Sequence, residues 1–106
     1  MKISIKVVEL IDINTDKIML SGAYRKNNEK FSDFIKRTVA EYKKIFDIDV
    51  KFNKVLYSTT LDTYDMIDFE NKSSYSNITA TAFGLYISYL QEKIVKVKNI
   101  LNTTKI

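Results

Sequence analysis

The chain opens with apolar residues at every second position. Ile3, Ile5 and Val7 share one side of an extended backbone, which is the pattern of a β-strand with one buried face. Val8 and Leu10 then place apolar side chains on the opposite side. This change of side predicts either a bulge or burial of both faces within the strand.

A second strand of the same kind follows a short polar segment. Asn14-Thr15-Asp16 separates the two strands, and Asn and Asp side chains can close a turn by accepting hydrogen bonds from nearby backbone amides. Apolar or small residues then alternate at Ile18, Leu20, Gly22 and Tyr24. We therefore predict an antiparallel hairpin with strands over 2–13 and 17–25.

The next segment has the three- and four-residue spacing of an amphipathic helix. Its inward positions are Phe31, Phe34, Ile35, Thr38, Val39, Tyr42, Ile45 and Phe46. Charged residues fill the opposite side, and Asn27 or Asn28 is the predicted N-cap. We predict a helix over about 28–46 that packs on the hairpin.

Residues 48–60 return to a period of two, which predicts a strand. The period changes phase at Asn53-Lys54, so the segment is either one bulged strand or a short hairpin. Residues 61–69 fit a short helix with Leu61, Tyr64 and Ile67 inward, but helix and strand both stay open there.

The last segment, over about 77–101, is predicted to form a long helix. One inward stripe consists of Phe83, Tyr86, Leu90, Ile94, Val97 and Leu101. A second apolar stripe lies on another side, runs through the first half of the helix, and continues with Lys93 and Lys96. Residues 78–90 are rich in residue types that favour strands, so a strand is the competing assignment.

Together these elements predict an α+β fold in a single domain, residues 1–106. Its order is an N-terminal antiparallel hairpin, an amphipathic helix, one or two further strands and a long C-terminal helix. No window contains the eighteen or so consecutive apolar residues of a membrane span, and Met1 to Leu10 lacks the apolar core of a signal peptide. We therefore expect a cytoplasmic protein.

The amino-acid composition excludes most of the common catalytic mechanisms. The chain has no cysteine and no histidine, which excludes thiolate nucleophiles, disulfides, and the commonest general base and zinc ligand. Gly22 and Gly84 are the only glycines, so a glycine-rich phosphate loop is not available. We predict no catalytic residue, no metal and no cofactor.

Two acidic patterns are the remaining candidates for an enzyme. Asp62, Asp65 and Asp68 form an acidic trio, but neither their spacing nor the absence of a nearby glycine fits an EF-hand loop. Asp49-Val50-Lys51 resembles the acid-x-lysine tripeptide of metal-dependent nucleases of the restriction-endonuclease type, in three residues only. A metal-dependent nuclease is therefore a remote alternative.

The formal net charge of +4 allows a nucleic-acid interpretation. Lysine supplies most of the cations, however, whereas arginine is favoured for bidentate recognition of phosphates and bases. The alternative function is nucleic-acid binding through the basic face of the first helix. That face consists of Lys30, Lys36, Arg37, Lys43 and Lys44.

The main hypothesis depends on the second apolar stripe of the last helix. A small domain has one core, so a helix that is apolar on two sides needs a second covering layer or a partner. Residues 61–69 would supply the layer in the first case. In the second case the stripe is a surface for a partner protein or for a second copy of the chain. The predicted surface consists of Ile78, Ala82, Leu85, Tyr89, Lys93 and Lys96.

These observations favour a small non-enzymatic binding protein that acts by occupying a surface of a partner protein. The chain is small, lacks common catalytic residues and is rich in Ile, Lys and Asn, as the products of AT-rich coding sequences are. In this general style alone it resembles the accessory proteins of phages and mobile elements. Inhibitors of host defence systems belong to that class, and a phage-encoded protein would act in the cytoplasm of its host. A basic chain argues against DNA mimicry and for steric blocking.

Overall fold

The computed structural model of the chain describes residues 3–61 and 75–104. The described residues form three strands and two helices, which confirms the predicted α+β fold. In chain order the elements are β1 (Ile3–Asp12), β2 (Ile18–Lys26), α1 (Phe31–Phe46), β3 (Val50–Leu61) and α2 (Tyr75–Thr104).

The predicted hairpin of β1 and β2 is closed by a residue that precedes the predicted turn. The Asp12 carboxylate accepts hydrogen bonds from the backbone amides of Asn14 at 2.8 Å and Thr15 at 3.3 Å. Asp16 then adopts a left-handed backbone with φ of 58°, which Asp tolerates better than most residues. An Asp side chain therefore closes the turn, but it belongs to Asp12 and not to the predicted segment Asn14-Thr15-Asp16.

Strand β1 is the centre of an antiparallel sheet in the order β2-β1-β3. Ile5 and Val7 are buried on one face of the sheet, whereas Val8 and Leu10 are buried on the other. The pairing of β1 with β2 runs without a register shift, so burial of both faces, rather than a bulge in β1, explains the change of side. The fold therefore has two small cores, one on each face, where the sequence predicts one.

Strand β3 is continuous, which excludes a short hairpin in this segment. Its register with β1 shifts between Val7 and Val8 and again between Glu9 and Leu10. The second shift leaves Asn53 without an opposite residue, and this is the place where the apolar period changes phase in the sequence. The prediction of a bulged strand is confirmed, and bulges at a sheet edge discourage pairing with other chains.

Helix α1 covers the face of the sheet that carries Val8 and Leu10. It buries Phe34, Thr38 and Tyr42 against that face. The helix begins at Phe31, later than predicted, because residues 27–28 form a turn that the amide of Glu29 closes onto the Lys26 carbonyl at 3.1 Å. Lys30 is therefore the N-cap in place of Asn27 or Asn28, and its side chain makes no capping hydrogen bond.

Helix α2 crosses the opposite face of the sheet, which confirms a helix rather than a strand over 78–90. It begins beside β2, where the Tyr75 hydroxyl lies 3.1 Å from Ser21 Oγ. It passes over β1 through Ala82 and reaches β3, where the Tyr89 and Tyr57 rings lie 4.9 Å apart. Beyond β3 the helix leaves the sheet, and all residues from 91 to 99 are exposed.

The first half of β2 departs from the predicted burial. The alternation in the sequence predicts that Ile18 and Leu20 face inward, but both are exposed. They lie on the α2 side of the sheet, opposite Ile11 and Glu9, nearer the hairpin turn than the line along which α2 crosses. No described element covers this end of that face.

Tyr75 gives the fold a measurable sensitivity to alkaline pH. Burial raises the pKa of its hydroxyl from 10.0 to about 12, although the hydrogen bond to Ser21 opposes the rise. Since the folded chain holds this proton more tightly than the unfolded chain, the stabilisation is complete below pH 10 and is lost as the pH rises towards 12. We expect up to about 2.7 kcal/mol of the free energy of unfolding to be lost through this group. Urea unfolding at pH 8 and pH 11 would show a smaller pH-dependent loss for Tyr75→Phe than for the parent chain, and an equal loss would contradict the assignment.

Candidate protein-binding surface

The predicted binding stripe on α2 is largely covered by the chain's own sheet. Ile78 is 4% exposed and Ala82 is 1% exposed, so neither is available to a partner in this structure. Leu85 is partly buried in the same cluster as Ile5 and Val7. The expectation that this stripe lacks cover within the chain is wrong for these residues, because the second face of the sheet supplies the cover.

The rest of the predicted stripe lies where α2 reaches and passes the sheet edge. Tyr89 packs on Tyr57 of β3, and the Lys93 ammonium lies 4.7 Å from the centre of the Tyr89 ring. Lys93 and Lys96 are exposed. This side of the helix is therefore apolar where it lies over the sheet and cationic where it extends beyond the sheet. The end of the sheet explains why the stripe changes from apolar residues to lysines in the sequence.

A different side of α2 is apolar and is covered by none of the described elements. We call this surface the lateral seam, and it consists of Ile87, Leu90, Ile94 and Val97. These side chains are between 38% and 55% exposed. At 100° per residue they lie about a quarter turn from the side that faces the sheet.

The lateral seam includes much of the stripe that the sequence predicts to be buried. Phe83 and Tyr86 of that stripe do pack against the sheet, but Leu90, Ile94 and Val97 do not. The side chain of Leu101 lies outside the described residues. The prediction of a buried stripe is therefore wrong for its C-terminal half, because the sheet ends before the helix does.

The spacing of the lateral seam is that of a helix-pairing surface. Its residues follow one another at intervals of three, four and three positions, which is the heptad spacing of a coiled coil. In that scheme Ile87 and Ile94 occupy a positions, and Leu90 and Val97 occupy d positions. Lys93 falls at a g position and Lys98 at an e position, one on each side of the seam.

The exposed end of α2 carries a positive charge. Residues 91–99 contain Lys93, Lys96 and Lys98 against Glu92 alone. Two of these lysines, Lys93 and Lys98, border an apolar groove in the surface that is also lined by Leu90, Ile94 and Val97. An apolar strip with a cationic border has the composition of a protein-binding surface for a partner with acidic flanks.

The basic face of α1 is partly used within the fold. Arg37 points back to the sheet, where its Nη2 lies 2.7 Å from Glu29 Oε1 and its guanidinium lies 4.0 Å from the centre of the Tyr24 ring. Its Nη1 lies 3.6 Å from Glu41. The hydrogen bond from Arg37 lowers the pKa of Glu29, whereas burial raises the pKa of Glu41. Arg37 is therefore an internal charge.

Lys43 is also paired, with Asp47 at 3.2 Å and Asp49 at 3.4 Å. The hydrogen bond to Asp47, ahead of that to Asp49, raises the pKa of Lys43. Lys30, Lys36 and Lys44 remain as exposed lysines on this helix. Arg37 is therefore turned away from the predicted nucleic-acid face, whereas Lys43 stays exposed on it with its charge balanced by two carboxylates.

The candidates for metal chemistry gain no support from the described residues. Asp49 is exposed and bound to Lys43. Asp62, Asp65 and Asp68 lie outside the described residues. Within residues 3–61 and 75–104, no three acidic side chains come together as a set that would hold a metal ion.

Comparison with known proteins adds no relative to this description. No family model, no curated protein and no solved structure matches the chain. Among the described helices, none combines the length and the apolar character needed to cross a membrane.

Proposed function

We propose that the protein is a non-enzymatic binding protein that occupies a surface of a partner protein with the lateral seam of α2. The observation that carries the proposal is a regular apolar strip on the part of the helix that extends beyond the sheet. Exposed apolar strips with a polar border are typical of interaction sites. A finer role as a steric inhibitor, of the kind found among phage accessory proteins, is part of the same proposal.

The extended part of α2 has a physical reason to seek a partner. Short isolated helices are marginal in water, and helices in proteins gain most of their stability by burying an apolar side. Residues 91–99 gain none from the described sheet, since all of them are exposed. A partner that covers the lateral seam would stabilise this part of the helix as it binds.

The partner that fits best presents a helix with acidic flanks. The heptad spacing of the lateral seam accepts the apolar residues of another helix between its own. In a parallel pair of identical copies, Lys93 would face Lys98 of the other copy, which is unfavourable. In either orientation two copies would bring two positively charged segments together, whereas glutamate at the flanking positions of a partner helix would neutralise Lys93 and Lys98.

A pair of designed helical peptides tests this function. The two peptides share leucine at a and d positions and differ at e and g positions, with glutamate in one and lysine in the other. We expect the glutamate peptide to bind the full chain at least about tenfold more tightly in fluorescence anisotropy at low salt. Ile94→Asp should abolish that binding, because it places a charge in the middle of the lateral seam.

Ser88→Asp is the matched control. Ser88 is exposed on another side of α2, so the same added charge should leave binding unchanged. Circular dichroism should show both variants folded. The proposed function would be overturned if the chain bound neither peptide and if Ile94→Asp and the parent chain showed the same self-association. A parent dimer in sedimentation equilibrium that Ile94→Asp dissolves would instead assign the lateral seam to a second copy.

A further inference from the structure

A cluster of polar residues lies on the sheet, on the face shared with α1 and at the end away from the hairpin turn. Ser4 of β1 is paired with Arg25 of β2 on one side and with Thr60 of β3 on the other. The next position on the same face, Lys6, is paired with Ser58 in the same way, and its ammonium donates a hydrogen bond of 2.9 Å to the Ser58 hydroxyl. Two cations and three hydroxyls therefore share this end of the face.

Arg25 is held in place by α1 and the turn before it. Its Nε donates to the Glu29 carbonyl at 3.0 Å, and its guanidinium lies 5.4 Å from the centre of the Phe31 ring. The first contact uses Nε, and the second uses the flat face of the guanidinium. Its terminal nitrogens make no hydrogen bond with the described residues.

Lys6 and Arg25 are placed unfavourably for a chain without a ligand. They are diagonal neighbours on adjacent strands, where long side chains can still reach each other, so their like charges repel. Burial, with the charge of Arg25 second, lowers the pKa of Lys6. Neither cation has a carboxylate within ion-pair distance among the residues described. An anion between them would remove the repulsion.

We propose that this cluster is a binding site for a phosphate group. At Arg25 the surface forms a pocket of about 300 Å³, lined by Ser4, Arg25, Lys26, Asn27 and Thr60, and Lys6 is the next residue after Ser4 on the same face of β1. A phosphate accepts several hydrogen bonds at once, a planar guanidinium binds two of its oxygens, and the serine and threonine hydroxyls can donate to the others. The site is separate from the lateral seam and does not depend on the proposed function.

The test is a titration of the full chain with inorganic phosphate and with pyrophosphate, with sodium chloride at the same ionic strength as reference. Binding is followed by the amide chemical shifts of β1 and β2. We expect saturable shifts with both phosphates and none with chloride. Lys6→Gln and Arg25→Lys should each weaken binding at least about tenfold, because one removes a charge and the other removes the bidentate donor. Lys36→Gln and Lys44→Gln change exposed lysines of α1 and should leave the affinity unchanged.

Stability in the absence of phosphate separates a binding role from a structural one. If Lys6 is present for a ligand, Lys6→Gln should raise the melting temperature slightly, because it removes the repulsion from Arg25. A lowered melting temperature together with unchanged phosphate affinity would overturn the proposal. So would shifts with chloride equal to those with phosphate, or an equal loss of affinity in Lys36→Gln.

Discussion

Gly22→Ala is expected to destabilise the protein by about 3 kcal/mol, at the upper end of the cost of overpacking a core. Gly22 lies on β2 opposite Val7, where α2 crosses the sheet. A Cβ at this position would overlap the Thr79 Cα and would lie 2.9 Å from the Ala82 Cβ and 3.0 Å from the Thr79 carbonyl oxygen. Because two of these atoms are backbone, the clash is relieved only if the helix moves away from the sheet. Urea unfolding followed by circular dichroism measures the loss.

Gly84→Ala is the matched control, since it makes the same chemical change on the same helix that Gly22 contacts. Apart from the backbone of its own helical turn and its two neighbours in the chain, no described residue has an atom within 4 Å of a Cβ at Gly84, and Gly84 is exposed in the interior of α2. Alanine favours a helix over glycine, so this variant should be stabilised by about 0.5–1 kcal/mol. Two variants of equal stability would contradict the close packing of α2 on β2.

The elements that the sequence predicts well are those whose signal is local. The phase change at Asn53-Lys54 predicts the bulge of β3 because each residue's side of the strand follows directly from the count of residues. The hairpin and α1 follow for the same reason. The predicted start of α1 is wrong because a turn at residues 27–28 competes with the helix for the same polar residues.

The position of the binding surface depends on the length of α2 relative to the width of the sheet, which the residue pattern does not indicate. A helix of 30 residues is about 45 Å long, whereas the outer strands of a three-stranded sheet lie only about 10 Å apart. A helix that crosses such a sheet must extend well beyond it. Leu90 and Ile94 have the periodicity of core residues, and the width of the sheet alone decides that they are exposed.

The prediction for the covered stripe is wrong for a related reason. Val8 and Leu10 show that both faces of β1 are apolar, which is the available signal for a layer on each face. Together with the two predicted helices, two apolar faces indicate one helix on each face of the sheet. The sheet then covers Ile78 and Ala82. The small size of Gly22, opposite Val7, agrees with a close helix crossing, but glycine in a strand is equally typical of a bulge or a sharp bend.

Arg37→Ala is expected to lower the free energy of unfolding by about 3 kcal/mol, with a small effect on any binding to nucleic acid. Arg37 donates to Glu29 and to the Tyr24 carbonyl, and its side chain is 21% exposed. Its removal leaves the Glu29 carboxylate without its cation, and breaking a largely buried ion pair from one side typically costs this much. The loss is measured by urea unfolding at pH 7.

Lys36→Ala provides the comparison, because Lys36 precedes Arg37 on α1 and is exposed. The free energy of unfolding should change by less than about 0.5 kcal/mol. If Lys36 and Arg37 instead form a phosphate-binding face, the two variants should have similar stability and each should show a reduced salt dependence of DNA binding. If Arg37→Ala is as stable as the parent chain, Arg37 is not needed inside the fold, and nucleic-acid binding through this face becomes the better hypothesis. The pairing of Arg37 with both Glu29 and Glu41 argues that its charge is needed inside the fold.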